Sequence, residues 1–207
     1  MSKKIKIILL ISLIPIIILV ILAILGLYWI NSQAPDLSQF EYLKEPQIST
    51  KADQKMIVVK ATGVPEENGA KTIGKIYKIF YQLPGLTNED KKVAPRGRWG
   101  RDYDPQSLEL TGEYGLPVPE IVASLPEDSE GVELVTWKYG EVAEILHVGS
   151  YKKEALTINK LKQFIEDNGY KISGEHEEEY IKGPIMFWKG NPEKYYTIIR
   201  YNVKKNK

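Results

Sequence analysis

Residues 139–184 read YGEVAEILHVGSYKKEALTINKLKQFIEDNGYKISGEHEEEYIKGP, and this stretch holds the clearest structural signals in the chain. The run from Glu141 to Val148 alternates like a β-strand and predicts one. A helix is predicted from about Tyr151 to Asn168, because apolar residues recur there at the spacing of one helix face. The pair Asn168-Gly169 supplies the left-handed stop expected after a helix. A second β run, from about Glu175 to Lys182, follows it.

The flanking sequence extends this pattern in both directions. A β run from Tyr195 to Val203 follows, and Val132 to Tyr139 predicts a strand that is hinged at Gly140 to the next one, as a hairpin or a closely coupled pair. Earlier in the chain, a strand beginning at Met56 precedes a helix face, and strand pieces lie between Leu108 and Val118. The order strand, helix, strand, strand therefore occurs twice.

Two β-α-β-β units predict an α+β fold, in which an antiparallel sheet carries two helices packed on one side. The opposite face, or the seam between the units, would then be open for a ligand, and apolar positions there should be unusually aromatic. The predicted fold class adds one N-terminal transmembrane helix to these duplicated units.

The transmembrane helix is predicted from the run Ile7 to Ile30, which contains no charged residue and is almost purely aliphatic. About 20 apolar residues suffice to cross roughly 30 Å of hydrocarbon. A cleaved secretory signal is the alternative. Its apolar core is usually about 7 to 15 residues long, and Pro35 is unfavourable directly after a cleavage pattern, so the sequence favours a retained anchor.

The apolar run divides the chain into four predicted segments: a cytoplasmic tail at residues 1–6, a membrane anchor at 7–30, a linker at 31–54 and an outer domain at 55–207. Lysines precede the apolar run, and acidic residues follow it. By the positive-inside rule, the N-terminus of this single-pass protein is expected in the cytoplasm and the C-terminal domain outside it.

The composition of the 207 residues excludes several kinds of site. The chain has no cysteine, which removes thiol catalysis, disulfides and sites with thiolate ligands. His147 and His176 are its two histidines. Metal binding is not expected, because the metalloprotease spacing His-Glu-x-x-His is missing. His147 ends an apolar strand and is expected to be structural.

A nucleic-acid partner is not expected either. The formal net charge is +1, whereas nucleic-acid-binding domains usually carry a basic surface. Arg96, Arg98 and Arg101 lie in a polar stretch from Leu86 to Gln106 that has no clear periodicity. We interpret them as part of a solvated loop rather than as an anion site.

Three short motifs stand in order along the quoted segment. They are His147-Val148-Gly149-Ser150-Tyr151 at the end of a strand, Asn168-Gly169-Tyr170 after the helix, and Glu178-Glu179-Tyr180 on the next strand. In this order and spacing they resemble the GyrI-like small-molecule-binding family, whose members are also called effector-binding domains. The run TIIRYNV from Thr197 resembles the last strand of that family. The resemblance extends in outline over residues 55–204.

The resemblance implies a pseudo-twofold pair of β-α-β-β units with a ligand cleft between them. In that family the glutamate of Glu-x-Tyr lies in the cleft and meets cationic, often aromatic ligands, while tyrosines and tryptophans line the walls. Glu178 and Tyr180 match those two positions. Tyr151 at the helix start and Trp137 within a clear β run are further candidates for the binding site. No catalytic residue, metal ligand or cofactor is assigned.

The residues around Glu178 permit two interpretations. Strand alternation places Glu178 on one face with His176 and Tyr180, and Glu177 and Glu179 on the other. A carboxylate beside aromatic rings suits an organic cation, to which the rings add a cation–π attraction of about 0.5 to 2 kcal/mol. By pattern alone, so many neighbouring glutamates favour a solvated strand end, whereas the resemblance favours Glu178 in the cleft.

The expected function is that of a membrane-anchored module that senses or sequesters an apolar or cationic small molecule between the two repeats. Two alternatives stay open. One is hydrolysis of small electrophilic molecules, with the cleft glutamate and a neighbouring tyrosine acting as general base and acid. The other is a protein-interaction module of the cell envelope, whose protein partner the sequence does not identify.

Overall fold

A computed structural model of the chain describes residues 14–26, 36–63, 65–100, 103–104, 110–184 and 190–207. The chain divides into two compact units, Met1–Leu37 and Ser38–Lys207. In the first unit, residues 14–26 form a helix, α1. The second unit contains the sheet and the candidate site.

The predicted transmembrane helix at residues 7–30 is not found among the described residues, where no helix is both long enough and apolar enough to cross a membrane. The remaining parts of the predicted span, residues 7–13 and 27–30, lie outside the described residues. The predicted localisation is not tested by the fold and stays a prediction.

Eight strands form one antiparallel sheet in the second unit. They are β1 Gln47–Lys51, β2 Gln54–Gly63, β3 Arg96–Trp99, β4 Leu110–Pro117, β5 Glu133–Trp137, β6 Gly140–Val148, β7 Tyr170–Lys182 and β8 Tyr196–Lys205. Their spatial order is β1-β6-β8-β7-β3-β4-β2-β5. Two α-helices, α2 Pro65–Phe80 and α3 Glu154–Asp167, connect strands, and short 3-10 helices lie at Ser38–Lys44, Asp90–Lys92, Tyr151–Lys153 and Pro192–Lys194.

The fold is therefore mixed α/β with one eight-stranded antiparallel sheet. The predicted fold class, α+β with two repeats, two helices and a transmembrane helix, is wrong: the sheet has two more strands than the repeats provide, and no helix among the described residues can span a membrane. The chain order β2-α2-β3-β4 is followed by β6-α3-β7-β8. Strands β3 and β7 pair at the centre of the sheet, where Gly97 lies opposite Glu178. Strands β1 and β5, which the predicted repeats did not include, form the two edges.

Two predicted connections differ from the structure. Residues 31–54 were expected to be a linker, yet they include β1, which pairs with β6, and the buried Leu43. The runs on either side of Gly140 were expected to pair with each other. Instead, β5 pairs with β2, while β6 pairs with β1 and β8. Gly140 has a φ of 94°, so the chain turns there from one edge of the sheet toward the other half.

Both long helices pack on the same face of the sheet. Their apolar faces, formed by Ile76, Ile79 and Phe80 of α2 and by Ile158, Leu161 and Ile165 of α3, are buried in one core. The sheet contributes Ile57, Val59, Leu116, Ala143, Ile145 and Ile199 to the same core. Burying each such side chain contributes roughly 1.5 to 3 kcal/mol. We call this side of the sheet the helix face and the other side the polar face.

Candidate functional site

Glu178 lies at the centre of the sheet on the helix face. Successive residues of a strand point to opposite faces, so His176, Glu178 and Tyr180 of β7 share one side. The side chain is buried, with 2% of the residue exposed. The solvated strand end that the acidic pattern suggested is therefore not what the structure shows for this glutamate.

His176 holds Glu178 in place. Its Nε2 atom lies 2.8 Å from Oε1 of Glu178, and its Nδ1 atom lies 2.8 Å from the hydroxyl oxygen of Tyr201. One neutral tautomer satisfies both contacts: Nε2–H donates to the carboxylate, and Nδ1 accepts from the tyrosine hydroxyl. His176 is fully buried, and its contacts on both sides fix the orientation of Glu178.

Aromatic rings surround this pair. Tyr103 stacks on His176 with ring centroids 4.1 Å apart, and Trp99 packs against Tyr103 at 5.0 Å and against Tyr114 at 5.7 Å. On the other side, the rings of Tyr151 and Tyr180 meet edge to face at 5.7 Å. Tyr151 and Tyr180 are partly exposed, whereas Trp99 and Tyr114 are buried.

The pKa values of these tyrosines show that they lie within electrostatic reach of Glu178. Burial, and after it the charge of Glu178, raises the pKa of Tyr103, Tyr114, Tyr151 and Tyr180. These phenols therefore stay neutral across the physiological range. They can act as hydrogen-bond donors and as neutral rings around a charged group.

Because Gly97 has no side chain, the rings of Trp99 and Tyr180 can pack directly against its backbone. A Cβ atom added there would lie 2.8 Å from Cζ3 of Trp99 and 2.9 Å from the hydroxyl oxygen of Tyr180. Carbon atoms do not approach so closely without displacement of the neighbours. Since Gly97 is opposite Glu178 in the β3–β7 ladder, this position must be small for the two halves to close around the carboxylate.

Glu154 is the site residue that the sequence did not reveal. It is the first residue of α3, and it is fully buried. Among the described residues, no lysine or arginine pairs with its carboxyl, which lies beside the carboxyl of Glu178 and the hydroxyl of Thr197. Burial, and then the nearby charge of Glu178, raises its pKa well above the ordinary value. Acidic residues are common at exposed helix starts, where they interact favourably with the helix dipole, so the sequence offered no reason to expect this one to be buried. Its position three residues after Tyr151 was the one indication that it belongs to the site.

The polar face of the sheet carries a buried ion-pair network. Arg200, which is 1% exposed, donates from Nε to Oε1 of Glu144 at 2.6 Å and from Nη2 to Oε2 of Glu179 at 3.0 Å. Its Nη1 atom donates to Glu177. Arg98 also donates to Glu177, from Nε to Oε2 at 2.7 Å. The acidic run of β7 is therefore split by strand alternation, with Glu178 on one side and its two neighbours on the other.

The solvated-loop interpretation of Arg96 and Arg98 is wrong. Both residues lie in β3, whose register places Arg96 opposite Glu179 and Arg98 opposite Glu177. Long-range pairing thus gives these arginines buried partners that the local sequence does not show. Arg101, the third member of that group, lies outside the described residues.

The four sequence-predicted ligand residues separate into two groups. Glu178, Tyr180 and Tyr151 are brought together on the helix face. Trp137 lies on the polar face, where the guanidinium of Arg98 stacks 4.0 Å from its ring centroid and its Nε1 donates to Glu113 at 3.3 Å. The structure thus does not bring Trp137 to Glu178.

Other features of the described chain are separate from this cluster. His147 contacts the hydroxyl of Thr157 through Nδ1 at 2.8 Å and the carbonyl oxygen of Ser150 through Nε2 at 3.2 Å, as a structural histidine would. A cavity of about 330 Å³ lies beside Arg98, Lys138, Glu175 and Asn202. Within the described ranges, no group of three or more histidine or acidic side chains could hold a metal ion.

Comparison with known proteins relates the chain to one family. The profile described as GyrI-like small molecule binding domain matches residues 44–201, and no curated protein matches the chain. An uncharacterised conserved protein from Listeria innocua is 24% identical, with 82% of this chain and 99% of that chain covered and a TM-score of 0.65.

Two further solved structures have a similar fold. A hydrolase from Listeria innocua is 23% identical over 78% of this chain and 92% of that chain, with a TM-score of 0.61. The EcmrR C-terminal domain is 17% identical over 78% of this chain and 98% of that chain, with a TM-score of 0.63. At these identities the likeness is one of fold.

Proposed function

We propose, on the premise that this chain belongs to the GyrI-like small-molecule-binding domain family, that it binds an organic cation with an apolar or aromatic body beside Glu178. The observation that carries this proposal is a buried carboxylate inside a group of aromatic rings at the seam of the two halves. The family membership supports small-molecule binding, and the chemistry of the described residues supports the choice of a cation.

The charge balance around Glu178 favours a cationic ligand. Among the described residues, no lysine or arginine forms an ion pair with Glu178, whose polar neighbours include His176 and the hydroxyl of Tyr103. On the polar face of the same strand, by contrast, Glu177 and Glu179 each contact arginines. Burying a carboxylate without a cationic partner costs free energy. A positively charged ligand would give Glu178 the partner that arginines give to Glu177 and Glu179.

The rings determine what kind of cation fits. A tyrosine or tryptophan face attracts a cation by about 0.5 to 2 kcal/mol, and more when water is excluded. Burial of an apolar body against the same rings adds roughly 25 cal/mol for each Å² removed from water. Tyr151 and Tyr180, which are partly exposed, form the side from which a ligand would reach Glu178. Sensing and sequestration are both compatible with such binding.

A cation and its neutral isostere test the proposal directly. The full chain would be titrated with benzyltrimethylammonium and with its uncharged isostere neopentylbenzene, in which carbon replaces the nitrogen, while tryptophan fluorescence is followed. Trp99 lies in the site, so binding should change the emission. We expect the cation to bind more tightly by at least about tenfold, the equivalent of one charge-assisted contact. Equal binding of both compounds would argue for a purely apolar site.

A second candidate, hydrolysis of a small electrophilic molecule, is favoured by one observation: two buried carboxyl groups lie side by side, and burial, followed by the charge of Glu178, raises the pKa of Glu154 well above its ordinary value. A carboxylate and a protonated carboxylic acid form an acid–base pair. Glu178 would take a proton from a water molecule as the oxygen of that water attacks an epoxide carbon. The ring C–O bond would break, and Glu154 would give its proton to the departing ring oxygen, so that a diol forms. Transfer of the proton from Glu178 to Glu154 would restore the starting state.

Turnover of styrene oxide above the uncatalysed rate would test this second candidate. Its loss in both Glu178→Gln and Glu154→Gln, with both variants still folded by circular dichroism, would establish hydrolysis. A rate equal to that of a buffer control would remove hydrolysis of this substrate class from consideration. The matched exposed variant Glu175→Gln should have no effect in either case.

A further inference from the structure

We propose that Glu154 and Glu178 together hold the N–H donors of a protonated amine or amidine, so that the site prefers cations with N–H groups over fully substituted cations. This inference rests on the proposed function and names the class of headgroup that the site would take. It assigns to Glu154 a role in ligand specificity.

The first observation is that the carboxyl group of Glu154 is buried without a cationic partner. It is fully buried, and among the described residues no lysine or arginine pairs with it. Its carboxyl lies beside that of Glu178 and beside the hydroxyl of Thr197, which is also fully buried. Two ionised carboxylates can only accept hydrogen bonds, so the pair lacks donors in that state. A ligand with N–H groups would supply them.

The second observation concerns the titratable and polar groups that lie near Glu154 on the neighbouring elements. Strand β7 contributes Glu178 and His176, and β8 contributes Thr197. Burial, followed by the charges of both glutamates, raises the pKa of the phenols of Tyr103 and Tyr151. His147 of β6 lies within reach of the charge of Glu178. Among the described residues, no lysine or arginine pairs with either glutamate, so the two carboxyl groups have no cationic hydrogen-bond donor from the protein.

Two carboxylates and one bound proton explain the ligand-free state. When Glu154 is protonated, the repulsion between it and Glu178 is removed, consistent with the raised pKa of Glu154. The start of α3 is a positive helix end, which favours an ionised Glu154 once a cation has arrived. An ammonium group would donate N–H bonds to both carboxylates. The carboxyl proton of Glu154 would then leave to solvent, one proton released for each ligand bound.

A quaternary ammonium behaves differently because it has no N–H donor. It can attract Glu178 through charge alone, and it leaves Glu154 protonated. A hydrogen bond to a charged group contributes about 1.5 to 3 kcal/mol, so an N–H cation should bind at least about tenfold more tightly than its trimethylated analogue. This difference should depend on Glu154 specifically.

Calorimetric titration of the full chain with benzylammonium and benzyltrimethylammonium measures this preference. In the wild-type protein we expect benzylammonium to bind at least about tenfold more tightly. In Glu154→Gln benzylammonium should lose this advantage, so that the two cations bind within about threefold of each other. Glu166→Gln, an exposed position on the same helix, should retain the wild-type preference.

Proton release gives a second measurement that needs no variant. Titrations of the wild-type chain in two buffers of different ionisation enthalpy, at one mildly acidic pH, count the protons released. Benzylammonium should release close to one proton, and benzyltrimethylammonium close to none. If both cations bind without a preference, or if the preference survives in Glu154→Gln, the inference is overturned while the proposed function stands. If neither cation binds the wild-type chain, the cation-binding proposal itself is overturned.

Discussion

Nε2 of His176 lies 2.8 Å from Oε1 of Glu178, and the two side chains are neighbours on one face of β7 at the centre of the sheet. The same imidazole is fixed from its other side by Tyr201 of β8. This pair ties the candidate site to the core, because a buried carboxylate is stable only while its donor remains.

His176→Leu should destabilise the protein by about 1 to 3 kcal/mol at neutral pH, since Glu178 would lose its donor. The double variant His176→Leu/Glu178→Leu should recover part of this loss, because replacing both partners by apolar groups is often nearly neutral. Urea unfolding of the two single variants and the double variant gives the coupling energy. Strictly additive losses would mean that the pair is not coupled in solution.

Arg200→Met should destabilise the protein by about 3 to 5 kcal/mol at neutral pH, because Glu144, Glu177 and Glu179 would lose their shared cation. Burial alone would raise the pKa of Glu144, but Arg200 and Lys51 hold it below the ordinary value. Arg96 and Arg200 likewise overcome burial at Glu179.

Depressed carboxylate pKa values add stability above the unfolded-state pKa and lose it as the pH falls through the folded-state pKa. The gap between wild type and Arg200→Met should therefore narrow as the pH falls from neutral to acid. Chemical unfolding at several pH values measures it. Lys60→Met, which removes an exposed ion pair with Glu133, should change stability by less than about 1 kcal/mol. A gap that widens in acid would contradict the network described here.

Glu154→Gln should make the protein relatively more stable as the pH rises. The pKa of Glu154 is raised in the fold, chiefly by burial, so the native state holds a proton that the unfolded state has lost. Stability from this group is present below the unfolded-state pKa and is lost as the pH rises toward the folded-state pKa, by at most about 1.4 kcal/mol for each pH unit.

The Gln side chain does not titrate, so the difference between variant and wild type should grow from acid to neutral pH in the direction of a more stable variant. Thermal or urea unfolding across this range measures the trend. Glu166→Gln on the exposed side of α3 should follow the wild-type profile. A pH-independent difference would show that Glu154 is ionised in both states.

Gly97→Ala should weaken cation binding by at least about tenfold and alter the near-ultraviolet circular dichroism. The new methyl group would press on Trp99 and on the hydroxyl of Tyr180, and overpacking typically costs about 1 to 3 kcal/mol. Gly100→Ala is the matched control, because a Cβ atom at Gly100 has no neighbour within 4 Å. Equal behaviour of the two variants would mean that the rings around Gly97 are not closely packed in solution.

Local sequence signals were sufficient for the second half of the sheet. The strand predicted at Glu141 to Val148 corresponds to β6, and the helix predicted from about Tyr151 corresponds to a 3-10 turn followed by α3. Strand alternation also placed Glu178 with His176. These features depend on residues a few positions apart, which is the range over which periodicity carries information.

Features that depend on distant pairing could not be predicted. Strand β3 has four residues, two of them arginines, and it is defined by its neighbours β4 and β7 rather than by its own pattern. Trp137 was a ligand-binding candidate whose face could not be assigned, because the pairing of β5 with β2 was not known. Glu154 was missed because its burial depends on how α3 sits over β7 and β8. The resemblance to the GyrI-like family, in contrast, is confirmed over residues 44–201.

The most direct measurement is the dissociation constant of benzyltrimethylammonium for the wild-type chain, Glu178→Gln and Glu175→Gln, determined by calorimetry under one set of conditions. Glu178 and Glu175 lie on the same strand, but Glu175 is exposed. We expect Glu178→Gln to weaken binding by at least about tenfold, because it removes the buried charge, and Glu175→Gln to leave binding within about twofold. Binding that is unchanged in Glu178→Gln, or weakened equally in both variants, would contradict a cation site at Glu178.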